Sequence, residues 1–296
     1  MTTLDSLVPE PPRPGPRVTA DDGVELATWD FGGNGPPIVL VHATGFHAWT
    51  WLGVASAMAR THRVWAFDQR GHGTSGPSPD HSYLDWSSFA ADLLVVVDAL
   101  GLERPAGAGH SLGGASLLMA EQRRPGTFSS LYCFEPIVIP PGRSLGGDDD
   151  LAVGARRRRQ TFPSAEAAVD NFRSKPPLSV LAAGVVEAYV AHGFAPTGGA
   201  GSEAVTLRLP GAEEATVYEG AVHTDVYDRL GELALPVTVA GGDIGASTGP
   251  GRLVDHLAEL IPGARSQHFS DLGHFGPMEG PAAVADAITE AVSPHR

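Results

Sequence analysis

Along most of the chain, short unbroken apolar runs alternate with longer stretches of helical spacing. Val18 to Ala20 and Glu25 to Phe31 flank Asp21-Asp22-Gly23, a hairpin signal in which glycine supplies the positive φ of a tight turn. Pro37 to His42 is a continuous apolar run, as expected of a strand buried on both faces. Helical spacing follows over Trp51 to Arg60, then a strand over Val64 to Phe67 that ends at Asp68-Gln-Arg-Gly-His-Gly73. The pattern next predicts a helix over Ser88 to Leu100, stopped by Gly101, and a strand of small residues over Pro105 to Gly109. A helix over Gly113 to Arg124, stopped by Pro125, and a strand over Ser130 to Glu135 complete this half.

The rhythm then breaks. From Pro136 to about Leu235 there are no buried-strand runs, only helical stretches at Ser164 to Phe172, Val180 to His192 and Thr224 to Leu233. After Pro236 it resumes, with strands at Val237 to Ala240 and Arg265 to Phe269 and helices at Arg252 to Leu260 and Ala282 to Val292. Strands alternating with helices predict an α/β protein with a mostly parallel sheet covered on both faces. The expected organisation is a flexible leader over 1–16, a core over 17–135 and 236–296, and a helical lid over 136–235 inserted after the sixth strand. Such an insert sits over the carboxyl edge of the sheet, where open α/β folds bind ligands.

Composition sharpens this picture by exclusion. The 296 residues can bury a large core without covalent staples, and 42% hydrophobic with 18% charged residues is ordinary globular composition. A net charge of −14 argues against nucleic acid and anionic lipid as partners. The single Cys133 excludes an internal disulfide and any multi-cysteine zinc site, and is compatible with a cytoplasmic location. No apolar run approaches the ~20 residues needed to span a bilayer, and no secretory signal is visible. No His/carboxylate set has metal-ligand spacing, so neither a metal nor a cofactor is expected. Oligomeric state is not legible, and a homodimer stays open.

Gly109-His110-Ser111-Leu112-Gly113 fits G-x-S-x-G between a predicted strand and a predicted helix, the context that separates a nucleophile elbow from a glycine-rich turn. The helix starting at Leu112 aims its N–H groups at that site. A serine hydroxyl needs a base, and His274, in Asp271-Leu-Gly-His-Phe-Gly-Pro-Met-Glu279, follows the last strand at the same edge. His110 is expected to point away as a packing or hydrogen-bonding residue, and His42 to brace the loop below the site. The base needs a carboxylate to orient it. Glu135, 24 residues after Ser111, and Asp243, after the Val237 strand, are both candidates. Oxyanion donors are expected at the N–H groups of Leu112 and of Thr44 in His42-Ala-Thr-Gly-Phe46.

Together these residues resemble an α/β-hydrolase over nearly the whole chain. The resemblance rests on His42-Ala-Thr-Gly45, Asp68-Gln-Arg-Gly-His-Gly-Thr-Ser75, the 109–113 elbow and Gly273-His274-Phe275, in the family's order of Ser, acid, His. Two departures stand out. Ala43 takes the glycine place of the family's usual His-Gly, and Asp243 falls one residue before the usual place of the acid after the seventh strand. The sequence therefore resembles the branch with its acid after the sixth strand, found among haloalkane dehalogenases and zearalenone-type lactone hydrolases, which implies Glu135. Ser111 in the nucleophile place argues against dehalogenase and epoxide hydrolase activity, both of which use Asp.

The resemblance implies a serine hydrolase acting on a small or medium, mostly apolar ester or lactone. A carbon–carbon bond hydrolase, a cofactor-free oxygenase or lyase, and a receptor without turnover are the alternatives. Phe46, Trp49 and Phe275, with Trp51, lie beside the site in sequence and are candidates for its pocket. Asp68 and Arg70 are expected to pin loops, and Arg156 to Arg159 to form a solvated face of a lid helix.

Overall fold

A computed structural model describes residues 11–142, 148–199, 201–245 and 249–293. In chain order the first half comprises β1 (Arg13–Thr19), β2 (Glu25–Gly32), β3 (Pro37–Val41), α1 (Leu52–Met58), β4 (Arg63–Asp68), α2 (Ser87–Ala99), β5 (Ala106–His110), α3 (Leu112–Arg123) and β6 (Ser130–Phe134). An insert follows, with α4 (Asp148–Arg157), β7 (Thr161–Phe162), α5 (Ala165–Arg173), α6 (Val185–Gly193), β8 (Phe194–Pro196), β9 (Val205–Leu207) and α7 (Gly211–Gly220). The chain then returns to the main sheet through β10 (Val237–Gly242), α8 (Val254–Leu260), β11 (Arg265–Phe269), α9 (Gly276–Glu279) and α10 (Pro281–Val292).

The main sheet has the order β1-β2-β4-β3-β5-β6-β10-β11. β1, β2 and β4 pair antiparallel, and every pairing from β4 to β11 is parallel. Alternation along β3 explains the two layers. Ile38 and Leu40 face one way and pack with Val54 and Met58 of α1 and Val284 and Ile288 of α10. Val39 and Val41 face the other way, into a core with Leu93 of α2, Leu117 of α3 and Leu257 of α8. All four of these β3 side chains are fully buried, which is why the sequence there reads as an unbroken apolar run.

The insert departs from the expected set of helices. β7, β9 and β8 form a small antiparallel sheet. Its Phe162, Phe194 and Leu207 join Tyr189 and Val190 of α6 in a separate apolar cluster that also takes in Ala43, Phe46 and Met278. The helix expected over Thr224 to Leu233 is absent apart from one 3₁₀ turn at Leu230–Glu232. Val226, Leu230 and Leu233 are nonetheless buried, so the helical spacing there reflects the buried face rather than the backbone. At the other end, Arg13 to Pro16, expected in the leader, belong to β1, where Arg13 pairs with Asp30 and Pro14 with Trp29. Residues 1–10 lie outside the described residues.

The segment after β4 pins the loops beside it, as expected. Asp68 accepts from the Ala48 N–H (2.9 Å), the Thr74 N–H (2.9 Å) and the Trp29 indole (3.2 Å). Arg70 reaches both oxygens of buried Asp92 at 2.7 and 2.6 Å and adds Asp22 at 2.8 Å.

Candidate active site

Ser111 stands between β5 and α3 with φ 56° and ψ −117°, a backbone conformation that costs an L-residue energy and must be held by its surroundings. Its N–H donates to the Phe134 carbonyl (3.0 Å), and its carbonyl accepts from Ala115 (3.1 Å) and Ile137 (3.2 Å). The turn needs glycine at its flanks for want of space. A Cβ on Gly113 would stand 2.1 Å from the Val41 carbonyl oxygen, and one on Gly109 would stand 2.5 Å from the Gly113 oxygen. Gly113→Ala therefore must push α3 away from β3. We expect it to cost about 1–3 kcal/mol or more in urea unfolding, and an unchanged midpoint would contradict this packing.

His274 lies in the loop between β11 and α9. Its Nδ1 is 2.7 Å from Glu135 Oε2. An ionised carboxylate only accepts, so Nδ1 carries the proton and Nε2 is the basic nitrogen. Glu135 follows β6 directly and adopts φ 42°, with its N–H bonded to the Ala240 carbonyl (2.7 Å). Its second oxygen accepts from the Gly242 N–H (3.0 Å), so the buried carboxylate is satisfied at both oxygens. The other candidate acid is elsewhere. Asp243 is exposed and pairs with His268 (3.2 Å) at the surface.

His110 is a hydrogen-bonding residue. Its Nε2 donates to the His274 carbonyl (2.8 Å), and the two rings lie 4.8 Å apart. Burial pushes His110 well below the usual imidazole range, so it stays a neutral brace for the His274 loop.

The loop after β3 is braced from below. Ala43 to Phe46 form a turn closed by Phe46 N–H to the Ala43 carbonyl (3.2 Å), and Gly45 has φ +76°, the positive value such a turn needs at its third residue. His42 Nε2 accepts from the Gln69 N–H (2.9 Å), and the Gln69 side chain donates to the His42 carbonyl (2.7 Å). Ser116 Oγ lies 3.2 Å from Gln69 Oε1 and 2.9 Å from the Leu112 carbonyl. This buried network ties the β3 loop, the β4 loop and the first turn of α3 together. Leu112 opens α3, where its amide has no intrahelical partner.

A cavity of about 620 Å³ brings these parts together. Ser111, His274, Thr44, Phe46 and Phe275 all line it, with the insert residues Leu178 and Tyr189. Trp49, expected in the pocket, is not among its walls. It stacks on His192 with ring centroids 3.6 Å apart and meets Trp29 edge-on at 5.3 Å. Trp51 is buried in the core under α1. Trp86, which no sequence signal marked, lines the cavity instead. The arginine run also differs from expectation. Arg156 is exposed and pairs with Glu219, whereas Arg158, just beyond the end of α4, turns inward to line the cavity. Cys133 is buried on β6, and burial pushes its thiol up to about 12, so it is no nucleophile. Among the described residues, no cluster of three His, Cys, Asp or Glu side chains is placed to hold a metal, and no helix is long and apolar enough to cross a membrane.

Comparison with known proteins agrees with the fold. Residues 36–281 match the family model described as the alpha/beta hydrolase fold. A non-heme haloperoxidase of Rhodococcus erythropolis is 26% identical over 88% of this chain and 92% of its own length. Among solved structures, E-2-(acetamidomethylene)succinate hydrolase superposes with a TM-score of 0.80 at 18% identity, covering 95% of this chain and 99% of that one. The enol-lactonase from Burkholderia xenovorans LB400 superposes with 0.71 at 20% identity, covering 94% and 100%. With the family model spanning most of its length, this chain belongs to the α/β-hydrolase family, and it is an enzyme of that class.

Proposed function

We propose that the protein is a serine hydrolase with a Ser111–His274–Glu135 triad, cleaving a small or medium, mostly apolar ester or lactone. The observation that carries this reading is the strained Ser111 elbow sharing one cavity wall with His274, whose Nδ1 is held by buried Glu135. Ser111 Oγ attacks the carbonyl carbon while His274 Nε2 takes its proton. The oxyanion is held by the N–H groups of Thr44 and Leu112. His274 returns the proton to the leaving oxygen, and a water activated by the same nitrogen releases the acid and restores Ser111. The 136–235 segment acts as the lid. It contributes the cavity residues Leu178 and Tyr189, and with Phe46 and Phe275 these favour an apolar substrate body. The cytoplasm is the compartment we assign, in keeping with one reduced, buried cysteine.

A fluorophosphonate probe tests the central step. Wild type should label stoichiometrically at Ser111, and Ser111→Ala should neither label nor turn over p-nitrophenyl esters above about one part in a thousand of wild type. A folded wild-type protein that never labels, or a Ser111→Ala variant with full turnover, would sink the reading.

A further inference from the structure

The cavity wall is mostly apolar, but one stretch of it is not. Arg158, Tyr189, Glu214 and Tyr218 line it together. They come from three parts of the insert: the residue after α4, α6, and α7. Arg158 Nη1 donates to Glu214 Oε2 (2.7 Å) and Nη2 donates to the Tyr189 hydroxyl (2.7 Å). The Tyr218 hydroxyl reaches Glu214 Oε1 only at 3.4 Å. The cluster also abuts the turn that carries Thr44, because a Cβ on Gly45 would stand 2.5 Å from Glu214 Oε1.

Hydrogen-bonding capacity is left over. A guanidinium has five N–H groups, and the two bonds above use two of them. The Tyr189 hydroxyl accepts from Arg158, so its own hydrogen still has a bond to make. Burial raises the Tyr189 and Tyr218 phenols, which keeps both as donors. Among the described residues, Glu214 Oε1 has only the long Tyr218 contact. A buried ion pair facing an apolar cavity costs desolvation energy unless its remaining valences are met. Unspent donors beside an unspent acceptor match a group that both accepts and donates. A carboxylate would only accept, and would face the Glu214 carboxylate; an alkyl end would leave the wall unpaired.

We propose that Arg158, Tyr189 and Glu214 form a subsite for a neutral hydroxyl or carboxamide carried by the substrate away from the scissile carbonyl. The group accepts from the Tyr189 hydroxyl, which Arg158 orients, and donates to Glu214. This rests on the serine-hydrolase reading above and makes the apolar substrate of that reading one with a polar distal end.

The test uses p-nitrophenyl esters of straight-chain acids, graded in length and ending in methyl, carboxamide or carboxylate. At the best length, the carboxamide-ended ester should exceed the methyl-ended one at least tenfold in kcat/KM, mainly through KM. That ratio should fall toward one in Tyr189→Phe and in the charge-neutral double variant Arg158→Met/Glu214→Gln. Tyr189→Phe keeps the buried ring and so keeps the test alive if the double variant fails to fold. Three results would each overturn the proposal: no carboxamide preference at any length, a preference that survives Tyr189→Phe undiminished, or a carboxylate-ended ester preferred over both. The last would point instead to Lys175, the only lysine in the chain, which is exposed and lines the same cavity. Matched methyl ketones titrated calorimetrically into Ser111→Ala protein repeat the comparison without turnover. If Ser111 never labels, the hydrolase reading fails, and the ketones still decide the subsite.

Discussion

Glu135→Gln should lower turnover by about three to four orders of magnitude, while Asp243→Asn leaves it within about twofold. Glu135 is the carboxylate at His274 Nδ1, 2.7 Å away, and its other oxygen is already committed to the Gly242 N–H. A glutamine there can still accept from Gly242, so the fold should survive. Its NH₂ group would then face Nδ1 and drive the imidazole to the opposite tautomer, with the hydrogen on Nε2. The nitrogen that must take the Ser111 proton would already be protonated, and the imidazolium formed during attack would lose its counter-charge. Asp243 touches none of this, since its carboxylate sits at the surface with His268. Steady-state kinetics on one activated ester, with a thermal melt to verify folding, decides the matter. A large loss in Asp243→Asn with little in Glu135→Gln would move the acid to β10.

The second large effect is on stability. Unfolding free energy should fall steeply as pH drops from about 6.5 toward 4, through a set of buried histidines that includes His47 and His72. Burial lowers both from 6.5 to about 4. Each is 1% exposed, so screening by solvent takes little from the effect. His47 Nε2 is bonded to the Tyr189 carbonyl (3.1 Å), and His72 Nε2 accepts from the Gly45 N–H (3.1 Å), which a protonated His72 could not do. The sign follows from proton uptake. Below 6.5 the unfolded chain binds protons at these sites and the folded chain does not, so stability present at neutral pH is lost on acidification. At pH 5 the loss is about 2 kcal/mol per site, a large part of a typical total of 5–15 kcal/mol. His42 and His110, both buried and shifted down, add in the same direction. Asp68 and Asp92, whose carboxyls burial pushes up, oppose the loss where they begin to protonate. Urea unfolding at pH 7.5 and 5.0 measures the difference, and His72→Gln, which retains an acceptor for Gly45, should flatten part of the slope. Equal stability at the two pH values would contradict it.

The parts of this protein that were readable from sequence are those where a local pattern and a global constraint coincide. β3, β5 and β6 are buried on both faces, so their apolar runs admit few other structures. The elbow was readable because Gly109 and Gly113 are demanded by contacts of their neighbours' backbones. Glu135 stood out as a carboxylate among apolar residues, which only a specific partner can justify. The insert was less readable. Strands of two or three residues, such as β7 and β8, leave no periodic signal, and α7 draws its burial from Val217 and Ala215 within a run rich in glycine and glutamate. Arg158 was hidden in a charge run because the run straddles the end of α4, so one member turns inward while Arg156 stays in solvent. Gln69 was unreadable as a brace, and the partner of His110 could not be named, because the His42 and His274 carbonyls they meet are backbone groups with no sequence identity to detect.

The carboxylate directly after β6, next to the strand that leads into the serine, has a consequence for how this protein can be changed. In the proposed triad the reacting groups follow β5, β6 and β11, while the tip of β10 supplies only the Gly242 N–H that holds Glu135. Gly249 and Pro250, on the connection that leaves β10, still line the cavity. Randomising that connection in a selection experiment would vary substrate choice with the chemistry held constant. Phe46 and Phe275 share their loops with Thr44 and His274, so this connection is the part of the cavity wall that can be evolved apart from the proposed chemistry.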